Sequence, residues 1–269
     1  MGKNYSHILL PNNPESISYT NPGGRGSFNL KPQNRFDHGN HLKSTFSEAW
    51  DYIENEYATL KIERNGVYLD FKSEENFDIA LKSLESLRSK DQDQNIRLLN
   101  VKKENDEQIA TIYVPRTKAK YFLDKIEKYI TEDTKSGSPK NAPLLNNIKE
   151  ISSALTIESF WQDPRELIPG QEKEWCEIWL NSDDIEIKGK FEKQLQEKNI
   201  ASAEGFVDFP DRAVKLVSIN QDEILDIIRN SDDIAEIRKA KELSSYFLTI
   251  PKSEQSAWVE NLLSRLAVN

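Results

Sequence analysis

Apolar residues follow two different spacings along the chain, and the second half shows both clearly. Residues 175–180 (WCEIWL) combine aromatic and β-branched side chains and predict a strand. Residues 187–199 carry Ile187, Phe191 and Leu195 at intervals of four, which predicts an amphipathic helix. The change of spacing within so short a segment indicates a fold that mixes helices and strands.

The same segment continues with further strands and a second helix. Residues 206–209 and 212–219 predict two strands separated by the turn pair Pro210 and Asp211. Asn220 precedes an apolar periodic stretch and is predicted to be the N-cap of a helix. Residues 234–240 predict a closing strand, so the order is βαββαβ.

The first half predicts the same order of elements. Ser73 is the predicted N-cap of its first helix. The predicted strands are residues 67–71, 96–101, 108–114 and 148–155, and the predicted helices are residues 77–87 and 119–130.

The two halves also share an ungapped internal repeat. Residues 146–161 (NNIKEISSALTIESFW) align with residues 232–247 (DDIAEIRKAKELSSYF) at a fixed offset of 234 − 148 = 86. The shared positions are Ile148/Ile234, Glu150/Glu236, Ile151/Ile237, Ala154/Ala240 and Ser159/Ser245. A repeat of this size indicates a duplicated supersecondary unit.

Together the patterns predict an α+β protein built from two tandem ferredoxin-like (βαββαβ) units. An N-terminal arm plus amphipathic helix precedes them, and a C-terminal helix follows them. The predicted boundaries are 1–60 for the arm and helix, 61–161 for the first unit, 162–174 for a linker, 175–247 for the second unit and 248–269 for the C-terminal helix.

One face of each predicted sheet carries no helix and is a candidate binding surface. Alternation along 175–180 places Cys176, Ile178 and Leu180 on one side and Trp175, Glu177 and Trp179 on the other. The predicted interface with a protein partner consists of Trp175, Trp179, Phe206 and Val217. An equally open alternative is that this face packs against the first unit.

Composition excludes several classes of function. The net charge of −9 does not suit nucleic-acid binding, which needs a basic surface. No run of 18 apolar residues predicts a membrane span, so no membrane partner is predicted. The single cysteine allows no internal disulfide, which favours a reducing, cytoplasmic location.

The sequence contains no convincing set of catalytic or metal-binding residues. His38 and His41 lie three apart and could share one face of a helix, but a helix-start or packing role is favoured over a metal site. Cys176 lies in the middle of a predicted strand and reads as a small buried hydrophobe. No catalytic residue, cofactor or metal is therefore predicted.

Three blocks of the chain resemble a known family. Residues 18–42, 109–129 and 207–242 are similar to the N-terminal region of bacterial cytoplasmic subtilisin-like serine peptidases. Members are often encoded beside an AAA-type ATPase and are associated with defence. The resemblance also implies that the second unit has the topology of the subtilisin propeptide.

The catalytic signatures of that family are missing from this chain. His38 and Gly39 are followed by Asn40, and there is no Asp-Thr-Gly, Asp-Ser-Gly or Gly-Thr-Ser. This chain is therefore expected to be non-catalytic, either the N-terminal part of such a peptidase or a stand-alone relative. In the first case the intact protein would be a subtilisin-like serine endopeptidase.

The resemblance implies a pro-region that acts as an intramolecular chaperone and inhibitor of the peptidase domain. The alternative is a sensor or docking module whose N-terminal arm and first unit bind a partner such as the ATPase. The expected partners are thus a subtilisin-like catalytic domain and, in the alternative, an AAA-type ATPase.

Overall fold

The computed structural model describes residues 29–87, 89 and 94–240. Within this part the chain forms two antiparallel sheets, each flanked by helices. The predicted C-terminal helix at 248–269 and most of the predicted N-terminal arm lie outside the described residues. The described part is therefore mixed α and β.

Six helices and nine strands are present in the described ranges. The helices are Arg35–Leu60 (α1), Lys120–Thr131 (α2), Ala142–Leu145 (α3), Ile157–Phe160 (α4), Ile185–Glu197 (α5) and Gln221–Asn230 (α6). The strands are Gly66–Ser73 (β1), Arg97–Glu104 (β2), Glu107–Pro115 (β3), Ile148–Ser153 (β4), Glu174–Leu180 (β5), Ala201–Ser202 (β6), Val207–Phe209 (β7), Arg212–Ile219 (β8) and Ile234–Lys239 (β9).

The first sheet has the order β2-β3-β1-β4, and all its strands are antiparallel. Helices α1 and α2 cover one of its faces. Phe122 of α2 lies 4.9 Å from Phe71 of β1 and 6.2 Å from Phe46 of α1, measured between ring centroids. All three rings are buried, so α1 belongs to the core of this unit.

The helix predicted at 77–87 is not formed, and this prediction was wrong. Only Leu81–Ser83 makes a 3₁₀ turn. The backbone around it is held by the neighbouring strand, because the N–H of Asn76 donates to Asp106 O (2.9 Å) and the N–H of Ile79 donates to Gln108 Oε1 (2.7 Å). These tertiary contacts override the local helical pattern.

Ser73 is also not a helix cap. It is the last residue of β1, and its Oγ accepts the N–H of Gln108 (2.7 Å) and donates to Glu74 O (2.9 Å). Helix α1 supplies the second helix of this face in place of the missing one, and it ends at Leu60, the last residue of the segment predicted as arm and helix.

The second sheet has the order β6-β8-β5-β9, with β7 paired to β8. The strands and helices predicted here are confirmed, and β6 is an additional short strand. Asn220 caps α6 as predicted, in a capping box with Glu223. Helices α5 and α6 bury their apolar side chains with those of β5 and β8: Cys176, Ile178, Phe191, Leu195, Val217, Ile224, Ile227 and Ile228.

A buried ion pair joins the two units. Arg64 Nε donates to Asp232 Oδ1 (2.6 Å), and the two side chains are 1% and 6% exposed. Arg64 Nη1 also donates to Ile228 O (3.0 Å) and Arg229 O (2.8 Å), two carbonyls in the last turn of α6. A cation at this end complements the helix dipole. Arg64 therefore caps a helix of the other unit.

The outer face of the first sheet is covered from within the chain. Tyr68 Oη donates to Ser231 O (2.7 Å), and its ring lies 4.9 Å from that of Phe160 in α4. Asp70 accepts hydrogen bonds from Thr111 Oγ1 and Ser159 Oγ, both at 2.7 Å. This face is thus a buried junction rather than a binding surface.

Polar contacts complete the junction. Asn100 Nδ2 donates to Ser159 O (3.1 Å) and to Ala235 O (2.9 Å). The start of the predicted linker also pairs with β9, because the N–H of Gln162 donates to Ile237 O (3.0 Å). The second unit therefore meets the first mainly through β9 and the end of α6, with a further hydrogen bond from Arg212 Nη2 of β8 to Leu99 O (2.8 Å).

Candidate functional site

The outer face of the second sheet is the candidate site. Antiparallel partners share a face, so the pairs Trp175 with Ser218, Glu177 with Leu216 and Trp179 with Val214 all lie on the side away from α5 and α6. Trp175 is 45% exposed. Exposure falls along the row, because Trp179 and Leu216 are partly buried and Val214 is 8% exposed.

Trp179 is held in a fixed orientation by its neighbours. Its ring stacks on Phe209 with centroids 5.2 Å apart and planes 17° apart. The guanidinium carbon of Arg238 lies 4.7 Å from the centroid of the Trp179 ring. Stacked aromatic and cation contacts of this kind place a large ring at little entropic cost. The face thus presents preorganised aromatic surface.

Val217 does not belong to this face, so the prediction for this residue was wrong. It pairs with Cys176, is fully buried and packs under the helices. Side chains alternate along a strand, so Leu216 and Ser218 occupy the outer side instead.

Phe206 lies on the helix-facing side as well. Its ring is 5.8 Å from Lys188 Nζ of α5 and 4.6 Å from the buried Lys215 Nζ. The sequence prediction placed it beside the two tryptophans, which the structure contradicts. The strand pairing explains the difference. Val207, one residue after Phe206, is paired with Val214 and so occupies the outer face, which places Phe206 on the opposite face.

Four apolar residues of the face were missed by the sequence prediction, and one of them, Val214, is nearly buried. Val207 is 60% exposed, Phe209 is 43% exposed and Leu216 is partly exposed. The turn at Pro210 and Asp211 is the sequence feature from which these positions could have been predicted. A two-residue turn pairs Phe209 with Arg212 and fixes the register of both strands.

The charges on the face are largely paired with one another. Arg238 Nη2 donates to Glu236 Oε2 (2.6 Å), and Trp179 Nε1 donates to Glu177 Oε2 (3.2 Å). These groups flank the aromatic row and leave no large field of one sign. The surface therefore suits a partner with apolar side chains more than a strongly charged one.

Cys176 lies on the opposite, helix-facing side. Burial raises the pKa of its thiol to about 12, with smaller contributions from Asp163 and Glu177. A thiol with so high a pKa carries almost no thiolate at neutral pH. The position fits the predicted role as a small buried hydrophobe.

The two described histidines bind backbone carbonyls at the junction of α1 with β4. His38 Nε2 donates to Leu145 O (2.9 Å), and His41 Nε2 donates to Lys149 O (3.0 Å). Burial lowers the pKa of His38, although the bond to Leu145 opposes this. Within residues 29–87, 89 and 94–240, no group of three His, Cys, Asp or Glu side chains is placed to hold a metal ion.

None of the helices in the described part is long and apolar enough to cross a membrane. Comparisons with known protein families and with curated proteins find no match for this chain. The candidate site consequently rests on its geometry.

Proposed function

We propose that this chain is a non-catalytic, pro-region-like module that docks onto a subtilisin-like peptidase domain. The module assists the folding of that domain and restrains its activity. The observation that carries the proposal is the outer sheet face of the second unit, where the exposed rings of Trp175 and Phe209 flank a partly buried Trp179. Aromatic anchors surrounded by paired charges are typical of protein interfaces.

The fold supports this proposal. We propose that the second unit is a ferredoxin-like unit of the subtilisin-propeptide kind. Its strand order β6-β8-β5-β9 and its placement of α5 and α6 on one face agree with that arrangement. The first unit has the corresponding order, with α1 in place of its first helix.

The sequence resemblance supports the choice of partner. Residues 207–242 carry one block of that resemblance, and they include β7, β8, α6 and β9 of the second unit. A cytoplasmic location in bacteria and the absence of catalytic residues from this chain are parts of the same proposal. Cys176 agrees with a structural role because its thiol is buried and has a raised pKa.

The first test is to read the gene beyond Asn269 for an Asp-Ser-Gly or Asp-Thr-Gly motif. The second test adds this chain in trans to the separately produced peptidase domain and measures hydrolysis rate and refolding yield. We expect inhibition or improved refolding. An unchanged hydrolysis rate and refolding yield, with no complex detected, would contradict the proposal.

Variants locate the surface. Trp175→Ala should weaken the complex about tenfold or more, as for a central aromatic anchor. Ile185→Ala is the matched control, because Ile185 is 81% exposed on the same unit but lies on α5. Equal affinities of both variants for the peptidase would assign binding to another surface.

The alternative function is a docking module for an AAA-type ATPase, bound by the N-terminal segment. The structure changes how that alternative is tested. Deleting residues 1–60 would remove α1, whose Phe46, Ile53 and Tyr57 are buried in the first unit. Deleting residues 1–28 leaves the described core intact. Loss of ATPase binding with retained peptidase inhibition would favour this alternative.

A further inference from the structure

A cleft of about 440 Å³ opens where the two units meet, apart from the candidate docking face. The first unit contributes Asn95, Arg97 and Leu98, and the second contributes Asn181, Ser182 and Arg212. The volume is sufficient for a small organic molecule. Its most unusual component is Arg97.

Arg97 is 7% exposed and only partly satisfied. Its Nη1 donates to Asn181 Oδ1 at the long distance of 3.3 Å, and its guanidinium carbon lies 4.8 Å from the centroid of the Tyr113 ring. Its Nε and Nη2 are out of contact with water and have no hydrogen-bond partner in the described part of the chain. A buried charged donor without an acceptor is costly, so an acceptor supplied by a ligand would stabilise this side chain.

The two free donors define the shape of that partner. Nε–H and Nη2–H form one edge of the planar guanidinium and point in the same direction. This edge matches two oxygens of a carboxylate or phosphate in a bidentate pair. Both atoms are buried in the unliganded chain, so binding requires the guanidinium to turn towards the cleft and away from its contacts with Asn181 and Tyr113.

A second guanidinium lies close by. Arg212 Nη2 donates to Leu99 O (2.8 Å), so this side chain of the second unit is already tied to the first. Burial lowers the pKa of Arg212, Glu236 opposes this, and the nearby charge of Arg97 lowers it further. An anion between the two arginines relieves their repulsion.

The rest of the lining distinguishes between anions. Glu85 and Asp211 also line the cleft and disfavour a doubly charged group such as free phosphate. Leu87, Leu98 and Pro210 offer apolar surface beside the arginines. A singly charged head group on a short apolar body fits both features.

We propose that the cleft between the units binds a small organic carboxylate, such as the C-terminal carboxylate of a peptide, through the Nε and Nη2 edge of Arg97. Since the walls come from both units, the ligand stabilises their packing against each other. The inference does not depend on the proposed peptidase partner.

Three probes at matched ionic strength test the chemistry. N-acetylleucine carries the carboxylate and an apolar body, N-acetylleucinamide lacks only the charge, and inorganic phosphate lacks the apolar body. We expect N-acetylleucine to raise the thermal unfolding temperature and the other two to have little effect. Equal effects of the acid and its amide, or a larger effect of phosphate, would overturn the carboxylate assignment.

Variants test the residue. Arg97→Gln should weaken N-acetylleucine binding about ten- to a hundredfold, as expected for loss of a charged hydrogen-bonded pair. Arg97→Lys keeps the charge but loses the planar edge, so it should not restore the affinity. Arg165→Gln is the control, since the Arg165 side chain is 65% exposed on the surface. Unchanged binding in Arg97→Gln would contradict the proposal.

A measurement on the wild-type chain avoids any folding defect of the variants. The ¹⁵N resonance of the Arg97 Nε–H should shift when N-acetylleucine is added. A titration that shifts other arginine resonances and not this one would place the ligand elsewhere.

Discussion

The two sheets share a strand order but use their outer faces in opposite ways. The first sheet turns Tyr68 and Asp70 towards α4 and the second unit, where both are hydrogen bonded. The second sheet leaves Trp175 45% exposed, and Trp179 is partly buried only by the side chains of Phe209 and Arg238 within the same unit. The outer face of the first sheet thus packs against the rest of the chain, and the outer face of the second remains available for a partner.

The chemistry of the two faces matches these uses. The outer face of the first sheet carries polar side chains that each form specific hydrogen bonds, and this specificity favours a single arrangement of the two units. The outer face of the second sheet, which we call the bare face, offers mainly apolar area. Burial of apolar area is not directional, so it does not require one exact set of contacts with a partner. Four predictions test this contrast, beginning with the largest effect.

Asp232→Ala should lower the free energy of unfolding by about 3–5 kcal/mol, because it leaves the buried Arg64 without its charge partner. Chemical denaturation of both proteins measures the difference. Glu54→Ala is the control, since it breaks the exposed pair with Arg116 and should cost less than about 1 kcal/mol. Similar losses in both variants would mean that the junction is open in solution.

Tyr68→Phe should cost about 1–3 kcal/mol, because it leaves the buried carbonyl of Ser231 without its donor. Tyr52→Phe removes a hydroxyl from a ring that is 53% exposed and should leave stability unchanged. The same denaturation experiment compares them. No difference between the two variants would argue against the closed first face.

Asp70 should give the covered face a small pH dependence. Burial raises its pKa above the usual 3.8, although hydrogen bonds from Ser159 and Thr111 oppose this. The folded state therefore binds the proton more tightly than the unfolded state. The contribution of Asp70 to stability is largest below the unfolded pKa and falls as pH rises through the folded pKa.

Asp70→Asn cannot ionise and supplies the reference for this effect. The stability of the wild type minus that of Asp70→Asn should fall as pH rises above about 4 and then become constant. Denaturation at a series of pH values measures this difference. A difference that rises with pH would contradict the raised pKa.

Trp175→Ala should have the smallest effect, less than about 1 kcal/mol, because this side chain of the bare face already contacts water. Thermal unfolding measures the change in stability. A large loss would show that Trp175 packs against the chain itself, which would remove the contrast between the two faces.

The sequence allowed the local elements to be predicted where local signals decide them. Asn220 and Glu223 make a capping box from residues three apart, and Pro210 with Asp211 sets a tight turn. The helix predicted at 77–87 failed because Asp106 and Gln108, which are distant in sequence, bind its backbone. Local propensity carries no information about such partners.

The candidate face was predicted in part. Alternation assigned Trp175 and Trp179 to the side away from Cys176, and the structure agrees. Assigning Val217 and Phe206 required the register between strands, which alternation within one strand cannot supply. The packing of the units depends on pairs such as Arg64 with Asp232, which no spacing in the sequence reveals.

The separation of that pair affects how the chain folds during synthesis. Arg64 and Asp232 are 168 residues apart, so the ribosome produces nearly all of both units before the pair can form. Helix α1 likewise cannot complete its packing until β4 has been synthesised, because it packs against that strand. Long-range closure of this kind slows folding and keeps the outer face of the first sheet exposed in the nascent chain. Until β9 emerges, the growing polypeptide therefore leaves exposed the part of this face that only the second unit covers, including the hydroxyl of Tyr68.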